Sequence, residues 1–156
     1  ELLAMLKQRP DWRVIVLDGE DYHEALVGWF DDEPPQLQRL PRGTHLRAQL
    51  AGSLMHQRLD WFTGGMLRYD QVDGHLIVTD LRLGMTGFHP FRFDFAHLQD
   101  DKWQVHDPID RLPFERGEAE HLVLLFKRIW QPELKVPLLA WAGELQKPFL
   151  TETRSQ

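Results

Sequence analysis

The chain contains no cysteine. That excludes disulfides, thiolate nucleophiles and Cys-ligated zinc. Serine is almost as scarce: Ser53 and Ser155 stand alone, and neither sits in a nucleophile elbow. Long apolar runs are missing too. The strongest windows, His121–Phe126 and Val136–Gly143, fall short of the ~18–20 residues that span a bilayer. No secretory signal pattern and no Gly-rich phosphate loop occurs. Basic residues are dispersed, and the net charge is −6. Nonspecific nucleic-acid binding, which needs a basic footprint, is disfavoured.

What is present is ample core material. Apolar residues make up 42% of 156, with six Trp and nine Phe. One domain over residues 1–150 is expected, followed by a polar tail at 151–156. The opening Glu1–Leu6 (ELLAML) reads as the interior of an apolar helix. The chain is therefore expected to be a fragment of a longer protein.

Local patterns give the element order. Glu1–Gln8 reads as a helix end stopped by Pro10. Trp12–Leu17 and Tyr22–Phe30 flank Asp18-Gly19 and predict a hairpin. Asp31–Gly43 holds three prolines and predicts a loop. Thr44 is a candidate cap for one helix of four to five turns, with Leu46, Leu50, Leu54, Met55, Leu59 and Phe62 as its inner stripe. Gly64-Gly65 ends it. Met66–Tyr69 and His75–Leu83 flank Asp73-Gly74 as a second hairpin. Phe91–Phe95 (FRFDF) alternates as a strand with one buried face. Trp103–His106 is its expected partner, and Asp107–Gly117 a loop. Glu118–Trp130 predicts an amphipathic helix with Leu122, Leu125, Phe126, Ile129 and Trp130 inside; Pro137 opens a last helix. The fold class is α+β: a curved antiparallel sheet of about five to six strands packed against helices.

Chemistry is less legible. Asp80, Arg82, Arg92 and Asp94 are charges within strongly β-forming sequence, where they need solvent or partners. Cross-strand pairing, Arg92 with Asp80 or Arg82 with Asp94, explains them most simply. An anion or partner site is the functional alternative, since Arg presents a planar fork. Tyr22 and Glu24 share a strand face and offer acid–base groups; a solvated strand start is the simpler reading. His45 and His56 are about 16 Å apart along one helix and cannot share an ion. His89, His97 and His106 could converge, although no spacing rule demands it. No catalytic residue and no metal ligand is assigned, and no cofactor is expected in this domain.

Three stretches carry a family resemblance: Trp12–Asp31, Leu59–Gly84 and Phe88–Ala96. Each resembles the C-terminal soluble region of YdjM/YbcI-type inner-membrane proteins, described as metal-dependent hydrolases. The shared features are the aromatic-Arg-Val strand into Asp18-Gly19-Glu20-Asp21-Tyr22-His23-Glu24, the Trp61-Phe62 helix end, and Asp80-Leu81-Arg82-Leu83-Gly84 followed by Phe91-Arg92-Phe93. The resemblance implies transmembrane helices upstream, an inner-membrane setting, and a divalent metal in that absent half. The family's His motif has no counterpart here; Arg42-Gly43-Thr44-His45 lacks its first His and its Ser. The expected role is an accessory extramembrane domain whose partner is its own transmembrane region. The alternative is a noncatalytic module binding a ligand or protein on the charged sheet face.

Overall fold

The computed structural model describes residues 12–28, 31–32, 34–113, 119–131, 133–138 and 140–141. The expected first helix, the tail and most of the last helix lie outside the described residues. The class is α+β, but among the described residues seven strands form two sheets where one of about five to six was expected.

The first sheet has the order β1-β2-β3, with β1 at Trp12–Asp18, β2 at Asp21–Val27 and β3 at Gln38–Pro41. β1 and β2 form the expected hairpin, with Gly19 at positive φ in its turn. β3 corrects the expected loop. The prolines masked it, but an edge strand tolerates Pro because its outer side needs no ladder donor. Leu40 anchors it: the residue pairs with Tyr22 and is buried with Tyr22 and Leu81.

The second sheet runs β4-β5-β6-β7, from Leu67–Val72, His75–Asp80, Arg92–Gln99 and Lys102–Arg111. Asp73 and Gly74 both take positive φ in the β4–β5 turn, as a two-residue hairpin loop requires. β7 extends five residues past the expected strand, through Pro108. It too is an edge strand, which explains why proline misled the sequence reading.

The single expected helix is broken in two. A 3₁₀ helix spans Thr44–Leu50 and α1 spans Leu54–Thr63. Gly43, at φ 67°, takes the N-cap position expected for Thr44. Ser53 Oγ accepts from the His56 N–H at 3.2 Å and starts α1 afresh. Leu46, Leu50 and Leu59 therefore join the core with Leu67, Tyr69, Leu76, Val78 and Phe95. Leu54, Met55 and Phe62 do not; they are exposed. Gly64 closes α1 in the left-handed conformation, as expected.

α2 spans Ala119–Trp130. Leu124 and Leu125 pack on Val136, Leu138 and Trp141. Phe126 and Trp130 are exposed rather than inward. The side chains of Leu122 and Ile129 lie outside the described residues.

Gly43 is the tightest backbone approach between the helical layer and β4. A Cβ there would stand 2.1 Å from the Tyr69 carbonyl oxygen, at a φ that L-residues avoid. Gly43→Ala is expected to lower the unfolding free energy by about 2–4 kcal/mol, measured by urea denaturation. A change below about 0.5 kcal/mol would show that this approach is not a constraint.

Candidate functional site

Two polar clusters emerge, and the expected residues divide between them. The first is a buried network joining the two sheets. Glu24 on β2 is fully buried. Its Oε1 accepts from Arg13 Nε at 2.6 Å and from the Thr86 N–H at 3.1 Å. Its Oε2 accepts from the Thr86 hydroxyl. Thr86 Oγ1, thus committed as a donor, accepts from Tyr22 OH at 2.7 Å. Tyr22 OH accepts in turn from Arg68 Nη1 at 3.3 Å, while Arg68 Nε and Nη2 hold Asp70 Oδ1 at 3.0 and 2.8 Å. Donors therefore run from Arg68 on β4 to the carboxylate on β2. Period two puts Tyr22 and Glu24 on one face, as expected. That face is interior, which corrects the solvated-start reading. Burial raises the Tyr22 pKa, with the Arg68 charge opposing it.

His89 is buried within reach of the Arg13 and Glu24 charges. Its Nδ1 lies 2.9 Å from the Leu83 carbonyl oxygen, which can only accept, so Nδ1 carries the proton. His89 Nε2 and Arg13 Nη2 are buried with no hydrogen-bond partner among the described residues. Burial first, then the Arg13 charge, pushes the His89 pKa down to about 4.

The charged residues of β5 and β6 do not pair as expected. Asp80 is bound by Arg82, two residues on, through the backbone N–H at 2.9 Å and through Nε and Nη2 at 3.0 and 2.7 Å. Arg82 Nη1 also donates to the Phe62 carbonyl, and its guanidinium lies 4.4 Å above the Phe62 ring. Its fork is therefore engaged within the fold. Arg92 stands opposite Thr79, and burial pulls its pKa down to about 10. Arg92 and Asp94 are both buried, so FRFDF is covered on two faces rather than one.

Asp94 belongs to the second cluster. Its Oδ2 lies 2.6 Å from His75 Nδ1, and its Oδ1 lies 3.4 Å from His106 Nε2. The three donor atoms all lie within 4.8 Å of one another. They come from adjacent strands β5, β6 and β7. Register shifts lie beside them, between Leu76 and Ile77 and between Asp94 and Ala96. Such bulges re-aim side chains, and they draw these three together. Asp94 Oδ1 and His106 Nε2 are buried without a hydrogen-bond partner among the described residues. His97, opposite His75 in register, stacks on His106 with centroids 5.1 Å apart.

Of His89, His97 and His106, which could have converged, the last two stack; His89 lies apart, bonded to the Leu83 carbonyl. His75 and His106 were not singled out as partners of Asp94. Histidines near the β4–β5 turn and past the β6–β7 turn were the available signal, but alternation without bulges places them loosely.

Comparison with protein-family models, with curated proteins and with solved structures finds no match. Among the described residues, no helix is long and apolar enough to cross a membrane.

The buried His89 makes a pH prediction. With a folded pKa near 4 against an ordinary value near 6.5, the unfolded chain binds the extra proton between those values. The stabilisation is complete above about pH 6.5 and is lost as pH falls towards about 4. Its full size is on the order of 3 kcal/mol. His89→Gln is expected to flatten the fall in urea midpoint between about pH 6.5 and 4.5. An unchanged pH slope would remove His89 from that role.

Proposed function

We propose that this chain binds a divalent transition metal of the zinc class through His75, Asp94 and His106. One observation supports the reading above all others: three donors from three strands converge, and two of the atoms, Asp94 Oδ1 and His106 Nε2, face each other at 3.4 Å, buried and without a hydrogen bond among the described residues. Buried polar atoms are normally satisfied, so a group that satisfies both is favoured there.

Two imidazoles and a carboxylate suit zinc and its first-row neighbours better than magnesium or calcium, which prefer oxygen donors. Bonds of about 2.0–2.2 Å set tetrahedral donors roughly 3.3 Å apart. The His106–Asp94 separation of 3.4 Å already matches that spacing. His75 Nδ1 lies 2.6 Å from the other oxygen, Asp94 Oδ2; to ligate, it gives up that hydrogen bond, and its proton moves to Nε2 or to solvent. Three protein ligands leave a position for water or a substrate atom, as in an open site rather than a closed structural one. His97, stacked on His106, restricts the orientation of that ring.

This reading departs from the expectation of no cofactor in this region. The alternative of a noncatalytic binding module survives in narrower form: the ligand is the ion, and Asp94 is the one of Asp80, Arg82, Arg92 and Asp94 that takes part. The accessory role beside a membrane-bound metal-dependent hydrolase, at the inner membrane and docked to its own transmembrane region, is carried forward as a proposal resting on the sequence resemblance.

Titration calorimetry of the metal-free chain is expected to show one Zn²⁺ bound per chain. His75→Ala, Asp94→Asn and His106→Ala are each expected to weaken binding by about 10–100-fold or more. Cobalt(II) is expected to give visible absorption bands that disappear in the same variants. Zinc uptake that none of the three substitutions alters would overturn the site.

A further inference from the structure

α1 is turned inside out. Its buried residues are His56 and Thr63. His56 Nε2 lies 2.9 Å from Tyr69 OH. Its exposed residues include Leu54, Met55, Phe62 and Trp61, the last with 84% of its surface in solvent. Leu54 and Trp61 are seven residues apart, as are Met55 and Phe62. Two helical turns thus align them in a stripe. Leu83, also exposed, follows Arg82, whose guanidinium covers the Phe62 ring.

Arg82 pairs with Asp80, and its side chain is 30% exposed against 4% for the aspartate. Arg58 lies exposed within α1. Residues 42–65 contain three Arg and one Asp, a charge of +2, so the rest of the chain carries −8 of the net −6. A helix with Trp, Phe, Leu and Met outward and the exposed Arg58 among them matches a phospholipid interface, where aromatic rings sit at headgroup level and Arg reaches the phosphates.

We propose that α1 docks on an anionic phospholipid bilayer, burying Trp61, Phe62, Leu54 and Met55 in the headgroup region. Arg58, on the same side of α1, then faces the lipid phosphates. The acidic remainder of the chain is repelled by the same surface and held away from it. The proposal does not depend on the metal site.

Flotation of the chain with phosphatidylcholine vesicles, with and without phosphatidylglycerol and in the presence of a chelator, tests it. The chain is expected to float with the anionic vesicles and to lose about tenfold or more in partitioning in Trp61→Ser/Phe62→Ser. Leu54→Ser/Met55→Ser provides a second variant, and circular dichroism melting checks that each folds. Arg58→Gln is expected to cost about fivefold on anionic vesicles and little on neutral ones. No flotation of the unsubstituted chain would overturn the proposal. So would flotation that neither double variant reduces. Sedimentation equilibrium showing a dimer abolished by Trp61→Ser/Phe62→Ser, without vesicle binding, would also overturn it and assign the stripe to a second copy of the chain.

Discussion

The Glu24 carboxylate is the constraint around which the rest is arranged. It carries charge into a site with no solvent exposure, which costs several kcal/mol unless donors replace the lost water. Three side chains and a backbone N–H meet that need, directly or in relay: Arg13, Thr86 and, through the Thr86 hydroxyl, Tyr22. Arg13 also donates to the Leu81 carbonyl oxygen. β1, β2 and the segment after β5 are thereby tied at one point, and Arg68 extends the tie to β4. One guanidinium nitrogen, Arg13 Nη2, is left without a hydrogen-bond partner among the described residues. The two sheets are thus held in one relation by a polar contact, while apolar clusters fill in around it.

That joint has a consequence for chemistry. Tyr22 and Glu24 looked in the sequence like acid–base groups at a strand start. Their hydrogen-bonding capacity is spent on each other through Thr86. Asp80 and Arg82 are similarly spent, on each other and on the end of α1. Asp94 differs. Its carboxylate has one oxygen against His75 and another facing His106 without a proper hydrogen bond. Among the described residues of the second sheet, the buried polar side-chain atoms without a hydrogen bond therefore fall at Asp94 and His106. They lie where two register shifts let three adjacent strands aim at one point.

The helical layer contrasts with both. Its 3₁₀ segment turns Leu46 and Leu50 inward, and the Gly52-Ser53 break resets the helical phase before α1. An unbroken helix would have carried one stripe from Leu46 to Phe62 into the core. The reset sends the second half of that stripe outward. Sequence periodicity alone does not reveal this, because a three-residue interruption leaves the spacing of Leu46, Leu50, Leu54 and Phe62 unchanged while rotating the later residues to another side.

The amino-acid sequence by itself determined the features that depend on neighbours a few positions away. Asp18-Gly19 and Asp73-Gly74 set two of the hairpins, Gly64-Gly65 ended α1, and β-branched runs made β1 and β5 strands, because turn and cap geometry are settled by local φ preferences. It also set the α+β class. Tertiary structure decided the rest: the division into two sheets, the recruitment of β3 by Leu40, the extension of β7 past Pro108, and the meeting of His75, Asp94 and His106. Each of these depends on cross-strand register and on what covers a face. A bulge of one residue, or a buried partner 62 positions away such as Thr86 for Glu24, leaves no mark on local periodicity.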